Sequence, residues 1–229
     1  MIAILLNDAS FEQDIRELLM AFYPGETFTH KEEEAGETEL IVRGVRDGNS
    51  FSLDVTPVKK EAVHFALIYP DFSNRFQTKN EIKQTLYRLL SAQTGRELPW
   101  GTLTGIRPTK IPMKMLEEGK TNVEIAKYMR ETYYTSPEKT ALAITIANRE
   151  KDILKTIDYE HGYSLYIGIP FCPSICLYCS FGSHVLSRWE HMVDPYLDAL
   201  IKELIFISEN MKDYTLDTIY IGGGTPTTL

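Results

Sequence analysis

Three cysteines are the residues with the clearest chemical potential in this 229-residue sequence, and they are the only cysteines it contains. They lie in the stretch IPFCPSICLYCSF with the spacing Cys172-x3-Cys176-x2-Cys179. Three thiolates on one short loop can bind three corners of a cubane iron–sulfur cluster and leave the fourth iron without a protein ligand. Clusters that only transfer electrons, like structural zinc sites, usually have four protein ligands. The spacing therefore favours a metal centre with one open coordination position.

A zinc site is the alternative at this loop, with His184 as the only nearby candidate for a fourth ligand. Zinc sites favour paired C-x2-C spacings, which this sequence lacks. A non-enzymatic hypothesis combines such a site with the first 160 or so residues acting as an interaction module. It predicts tetrahedral zinc and no colour from iron.

The cysteine loop follows the first strand of a predicted βαβ unit. YSLYIGI is typical of a strand, SRWEHMVDPYLDALIKELIFISENM of a long helix, and LDTIYIGGG of a second strand that ends in three glycines. A βαβ unit requires parallel strands, and functional groups in α/β proteins gather at the carboxyl ends of such strands. We therefore expect the cysteines and the glycines at the same edge of an α/β structure.

The first 97 residues predict a small α+β domain. IAILL (2–6) predicts a buried strand, and SFEQDIRELLMAFY predicts an amphipathic helix behind a Ser10 cap. TELIVRGV and SFSLDVTPV predict a hairpin with its turn at Asp47-Gly48. KNEIKQTLYRLLSAQTG predicts a helix that stops at Gly95.

Residues 98–160 predict a helical connecting region that begins near GTLTGIRPTK. Thr121 with Glu124 forms a capping-box pattern, and Ser136 before Pro137 marks another helix start. The apolar positions on these helices are most simply packing surfaces: Ile125, Tyr128, Met129, Leu142, Ile146, Ile153 and Leu154.

Composition and charge exclude several function classes. The net charge of -8 and the pI near 5.2 disfavour nonspecific binding to nucleic acid or an anionic membrane. The sequence has no basic leader and no apolar stretch of roughly 18 to 20 residues, so we expect no signal peptide and no membrane span. These features predict a cytoplasmic protein with reduced thiols.

The three-cysteine loop with its flanks resembles the signature of the radical S-adenosylmethionine (radical SAM) enzymes. YIGIPFCPSICLYCSF followed by IYIGGGTPTTL resembles the oxygen-independent coproporphyrinogen III oxidases and the related haem chaperone HemW. The longer N-terminal part with GTLTGIRPTK resembles the HemZ subgroup. The resemblance implies that residues 161–229 begin a radical SAM (β/α) barrel and stop after its second strand, as in an N-terminal fragment. A full (β/α)8 barrel takes about 200 residues or more, so we expect this fragment alone to be inactive.

The resemblance also implies cofactors and their contacts. Cys172, Cys176 and Cys179 would hold a [4Fe-4S] cluster, and S-adenosylmethionine would chelate its open iron. The positions that match the family's cosubstrate site are Tyr166, Tyr178, Gly222, Gly223, Gly224 and Thr225. The catalytic residues are unknown from this part of the sequence. The implied partners are coproporphyrinogen III or haem, and an electron donor such as a flavodoxin or ferredoxin.

Two departures from the family's oxidases concern the substrate. The oxidases commonly carry a fourth cysteine two residues after the third ligand and a histidine before the I-P-F-C run, where this sequence has Phe181 and Gly168. The implied activity is oxidative decarboxylation of coproporphyrinogen III propionates to the vinyl groups of protoporphyrinogen IX. The phenylalanine is typical of haem chaperones, which keeps a haem-binding protein without decarboxylase activity as the alternative.

Overall fold

A computed structural model describes residues 1–58, 63–105, 107–158 and 161–229 of the protein. The chain forms two compact units, residues 1–151 and 152–229. The domain boundaries expected from the sequence, after residues 97 and 160, remain predictions. Residue 160 lies outside the described residues. Each unit is mixed α and β.

The first unit is built on a five-stranded mixed sheet. Its strands are β1 (Ile2–Leu6), β2 (Phe28–Thr29), β3 (Leu40–Asp47), β4 (Ser50–Pro57) and β5 (His64–Ile68), in the order β2-β1-β3-β4-β5. β1 runs parallel to β2 and β3, whereas β3, β4 and β5 are antiparallel neighbours. The hairpin predicted at Asp47-Gly48 is confirmed, because β3 and β4 pair up to Asp47 and Ser50.

Two helices, α1 (Glu12–Phe22) and α2 (Arg75–Thr94), supply the other layer of this core. Alternation along β4 buries Phe51, Leu53 and Val55 and leaves the intervening residues on the opposite face. The helices contribute buried apolar side chains to the same cluster: Ile15, Leu18, Leu19, Phe22, Ile82, Leu86 and Leu90.

The helix boundaries are partly as expected. α2 ends at the predicted Gly95, which has a left-handed backbone conformation, but it begins earlier than expected, behind Asn74. The prediction that Ser10 caps α1 is wrong. A 3-10 turn precedes α1, and Asp8 caps this turn by accepting a 2.9 Å hydrogen bond from the Ser10 backbone N–H. The bonds to Ser10, followed by one from Arg46, lower the pKa of Asp8 to about 2.

Three helices complete the first unit: α3 (Lys110–Glu117), α4 (Asn122–Tyr133) and α5 (Pro137–Leu154). The capping box of Thr121 and Glu124 is confirmed, and Ser136 Oγ accepts a bond from the Lys139 N–H at the start of α5. These helices share a second apolar cluster: Leu116, Ile125, Met129, Tyr133, Ala143, Ile144 and Ala147.

The expected packing face of α5 is partly wrong. Leu142 and Ile153 are 43% and 69% exposed, whereas Ala143 and Ala147 are fully buried. Small side chains let neighbouring helix backbones approach closely, so the contact face follows the alanines rather than the largest apolar residues.

The segment around GTLT (101–104) connects the two clusters of the first unit. The Thr102 N–H donates a 2.8 Å bond to the Tyr133 carbonyl at the end of α4. Thr104 Oγ accepts from Lys83 Nζ at 2.8 Å and donates to Glu17 Oε at 2.7 Å. Ile106 of the same motif lies outside the described residues.

The second unit contains the predicted βαβ arrangement. β6 (Gly162–Ile169) and β9 (Thr215–Gly223) are parallel partners, with α7 (Val193–Asn210) between them in sequence. A short parallel pair, β7 (Phe171–Cys172) and β8 (His184–Val185), encloses the cysteine loop, and α6 (Leu186–Trp189) follows it. Parallel pairing brings the carboxyl ends of β6 and β9 to one edge.

No helix within the described part of the chain is both long and apolar enough to cross a membrane.

Candidate metal centre

The first cysteine is held between the glycine segment and β8. The Gly224 N–H donates to the Ile169 carbonyl at 2.7 Å, and the Thr225 N–H donates to the Phe171 carbonyl at 2.9 Å. On the other side, the His184 N–H donates to the Pro170 carbonyl at 2.8 Å. The chain leaving β6 is therefore fixed on both sides just where Cys172 begins the loop.

Cys172 is 8% exposed, and its Sγ lies 3.5 Å from the Thr225 hydroxyl, which is oriented to donate to it. Gly224 lies against the same sulfur. A Cβ atom at this position would be 2.7 Å from Cys172 Sγ and 2.7 Å from the Phe171 carbonyl oxygen. Only a residue without a side chain fits there, and the structure brings Cys172, Gly224 and Thr225 into contact.

The glycines of β9 also lie against the aromatic side chains of the sheet. Tyr166 and Tyr220 are register partners whose rings stack at 5.5 Å, and Gly168 pairs with Gly222 two residues further on. A Cβ at Gly222 would lie 2.8 Å from the Tyr166 hydroxyl. Gly223 has a φ of +101°. The predicted site residues Tyr166, Gly222 and Gly223 thus lie together at the end of the two strands, with the tyrosine rings packed over the buried Gly222.

The other two cysteines lie in the exposed part of the loop. Cys176 is exposed and Cys179 is partly exposed, and the Cys179 N–H donates to the Cys176 carbonyl at 3.0 Å across a turn. Tyr178 lies in this turn and is 90% exposed. The structure therefore places Tyr178 on the loop surface rather than against the β-strand residues of the site.

The three sulfur atoms are not gathered into one cluster. Across residues 1–58, 63–105, 107–158 and 161–229, no group of three or more His, Cys, Asp or Glu side chains is arranged to hold a metal ion. The residues nevertheless fit an iron–sulfur cluster by chemistry: three soft thiols lie on one loop, and the first of them faces a cradle that a single Cβ would fill. The His184 ring, the candidate fourth zinc ligand, packs 4.7 Å from the Trp189 ring.

Tyr196 also supports the chain beside the cysteine loop, a role that the sequence did not predict. Its hydroxyl donates to the Gly168 carbonyl, and its ring meets Phe171 edge-on at 5.5 Å. Burial is the main cause that raises the pKa of this tyrosine, so it stays protonated as a donor. Tyr196 therefore holds α7 against the end of β6, next to the cysteine loop. A tyrosine in an amphipathic helix carries no signal that could have indicated this role.

The chain is similar to the oxygen-independent coproporphyrinogen-III oxidase-like protein HemZ of Bacillus subtilis. The two are 36% identical over 183 residues, which is 76% of this chain and 36% of HemZ. The chain belongs to the HemZ/HemW-like family. The haem chaperone HemW of Bacillus subtilis is 47% identical over 66 residues, which is 29% of this chain and 17% of HemW.

The family's oxidases match over a similar length. The oxygen-independent coproporphyrinogen III oxidase of Salmonella typhimurium is 39% identical over 70 residues, which is 31% of this chain and 15% of the oxidase. The aligned part of this chain thus spans little more than a third of HemZ and less of the other relatives. No family model matches the sequence, and no solved structure does.

Proposed function

We propose that this chain carries the cofactor-binding part of a radical SAM protein of porphyrin metabolism. Cys172, Cys176 and Cys179 would hold a [4Fe-4S] cluster, with S-adenosylmethionine at the open iron. When bound, this pair of cofactors supplies the one-electron chemistry that starts a radical reaction. The contact between Cys172, Gly224 and Thr225 is the observation that carries the proposal, because it joins the predicted metal and cosubstrate sites.

The residues of this chain would bind the two cofactors and orient them. Thr225 donates to the sulfur of Cys172 and holds it beside the glycine segment. Gly222, Gly223 and Gly224 let neighbouring atoms approach their backbone closely, and they would form the edge against which the methionine part of the cosubstrate lies. Tyr166 offers a ring and a hydroxyl at the same edge, and the exposed Tyr178 is available to pack on an adenine ring as the loop closes around its ligand.

We infer oxidative decarboxylation of coproporphyrinogen III as the reaction of the full-length protein. Two of the propionates would each lose carbon dioxide, one hydrogen atom and one electron to become vinyl groups. The similarity to HemZ and to the oxidases supports this inference. A cytoplasmic location and a flavodoxin or ferredoxin as electron donor belong to the same proposal.

A haem chaperone without decarboxylase activity is the second candidate. Phe181 and Gly168 stand where the oxidases commonly have a cysteine and a histidine, and HemW shows the higher identity over the matched segment. Tight haem binding and haem transfer without decarboxylation would distinguish this function from the oxidase.

Anaerobic reconstitution tests the metal centre in this chain. With iron and sulfide we expect about four irons and four sulfides per chain, and replacement of any one of the three cysteines with serine should remove most of them. Ser174→Ala, an exposed change in the same loop, is the matched control and should keep the cluster. Stoichiometric zinc without iron would instead support the zinc alternative.

The reaction is tested in the full-length protein after reconstitution. With S-adenosylmethionine, a reductant and coproporphyrinogen III, 5′-deoxyadenosine should form in step with protoporphyrinogen. Deoxyadenosine release that does not respond to the porphyrinogen, together with haem transfer, would contradict the oxidase and support the chaperone.

A further inference from the structure

β5 forms one edge of the five-stranded sheet in the first unit. Its partner is β4, with an uninterrupted antiparallel register from Phe51↔Ile68 to Val55↔His64. No strand in the described part of the chain pairs with its outer edge. Alternate N–H and C=O groups along this edge are therefore directed away from the sheet.

The edge strand carries an exposed apolar stripe. Phe65 and Leu67 are 61% and 47% exposed, and they lie on the sheet face opposite the core. Val63 and Tyr69, at the next positions of the same alternation, are 55% and 73% exposed. We call Val63, Phe65, Leu67 and Tyr69 the β5 stripe. Neighbouring β4 has only polar residues on this face, namely Ser50, Ser52, Asp54 and Thr56.

Three features that usually protect a sheet edge are absent from β5 (His64–Ile68). Natural edges are guarded by charges, proline, bulges or a covering element. The sequence VHFALIYP (63–70) contains no Lys, Arg, Asp or Glu, although the chain has 24 basic and 32 acidic residues. The strand itself has no proline, and its pairing with β4 has no bulge. Depletion of charge in a patch with aromatic residues is typical of protein–protein interfaces.

We propose that the β5 edge is a homodimer interface, at which a second copy of this chain pairs antiparallel to β5 around a two-fold axis at Ala66. In this register Phe65 lies opposite Leu67 of the other copy, and Val63 lies opposite Tyr69. All four residues of the β5 stripe then meet apolar partners, and the two five-stranded sheets become continuous.

Symmetry favours a second copy as the occupant, and charge limits where two copies can meet. The chain has a net charge of -8, so two copies repel each other over most of their surface. The β5 edge brings no formal charge to the contact when His64 is neutral. A two-fold axis also requires the patch to be complementary to itself. The alternation of apolar residues about Ala66 meets this requirement without any change in conformation.

The oligomeric state tests the proposal in the intact 229-residue chain. Light scattering after size exclusion should give twice the 26.2 kDa of one chain. Phe65→Lys combined with Leu67→Lys puts like charges across the axis and should give 26.2 kDa with an unchanged far-ultraviolet circular dichroism spectrum. Val123→Lys with Leu142→Lys, at exposed apolar positions of α4 and α5, changes the net charge equally and should leave the dimer intact.

A cross-link tests the register. In a background with the three native cysteines replaced by serine, Ala66→Cys should form a disulfide dimer on mild oxidation because the two Ala66 positions face each other on the axis. Val63→Cys is the control, since its two copies would lie about 20 Å apart along the strands. A monomeric wild type, association that survives the double lysine variant, or equal cross-linking at both positions would overturn the proposal. None of these outcomes depends on the metal centre.

Discussion

At the scale of single residues, Thr104 links three parts of the first unit. It donates to Glu17 on α1 and accepts from Lys83 on α2, and Lys83 is only 6% exposed. The bond from Thr104 is the largest cause that lowers the pKa of Glu17 below its ordinary 4.5. Burial is the largest cause that lowers the pKa of Lys83. The three side chains thus satisfy one another's hydrogen-bonding groups where the segment 101–104 meets α1 and α2.

Thr104→Val should lower the free energy of unfolding by about 1 kcal/mol at neutral pH, because it removes both bonds at nearly constant volume. Since the folded pKa of Glu17 is lowered, its contribution is present above pH 4.5 and is lost as the pH falls through the folded value. The difference in the free energy of unfolding between wild type and variant should therefore become smaller at acidic pH. Urea unfolding at several pH values measures it, with the exposed Thr27→Val as control. A difference independent of pH would contradict the role of Glu17.

At the scale of elements, the end of β9 positions the first cysteine. The backbone of Gly224 and Thr225 bonds to Ile169 and Phe171, so β9 and the start of the cysteine loop move as one piece. The close approach at Gly224 leaves no room for a side chain. The element pair, rather than the loop alone, therefore determines where Cys172 lies.

Gly224→Ala should destabilise this contact by about 1–3 kcal/mol, because the new methyl group overlaps Cys172 Sγ and the Phe171 carbonyl. We expect iron and sulfide incorporation to fall by several-fold. Gly182→Ala, in the same loop with nothing within 4 Å of its added Cβ, should reconstitute like the wild type. Iron and sulfide analysis of the three proteins makes the comparison, and equal contents would show that the contact does not shape the site.

At the scale of the whole molecule, the two units have unequal cores. Among the described residues, the buried apolar side chains of the second unit are Ile169, Phe171 and Cys172, and α7 has no buried residue. The first unit holds the remaining buried apolar residues, and all of these except Ala3 and Ala35 belong to two clusters. Apolar burial is the main stabilising contribution to folding, so the units should differ in stability.

Amide hydrogen exchange should therefore be faster in β6, α7 and β9 than in β1, β3, β4 and α2 of the same chain. The physical reason is that local opening costs less free energy where few apolar contacts are broken. Mass spectrometry of peptides from both units measures this within one sample, which removes differences in pH and temperature. Equal protection in the two units would contradict the expectation.

Much of the local structure is readable from the sequence alone. The hairpin at Asp47-Gly48, the capping box at Thr121 and the βαβ order around the cysteines depend on residues a few positions apart, and the structure contains all three. The cysteine spacing and its flanks likewise led to the HemZ/HemW-like family, which the similarity to HemZ supports. Such patterns act through the backbone of their own neighbourhood, so they do not need the fold to be known.

Contacts between residues that are far apart in the sequence depend on the tertiary structure. The Ser10 cap was displaced by Asp8, whose bond to Arg46 joins residues 38 positions apart. The packing face of α5 followed its alanines, and Tyr196 reached Gly168 from a helix with no distinctive motif. The exposure of the β5 stripe likewise depends on which strand ends the sheet. Each outcome rests on packing and hydrogen bonding between elements, and local sequence patterns carry no information about which elements will meet.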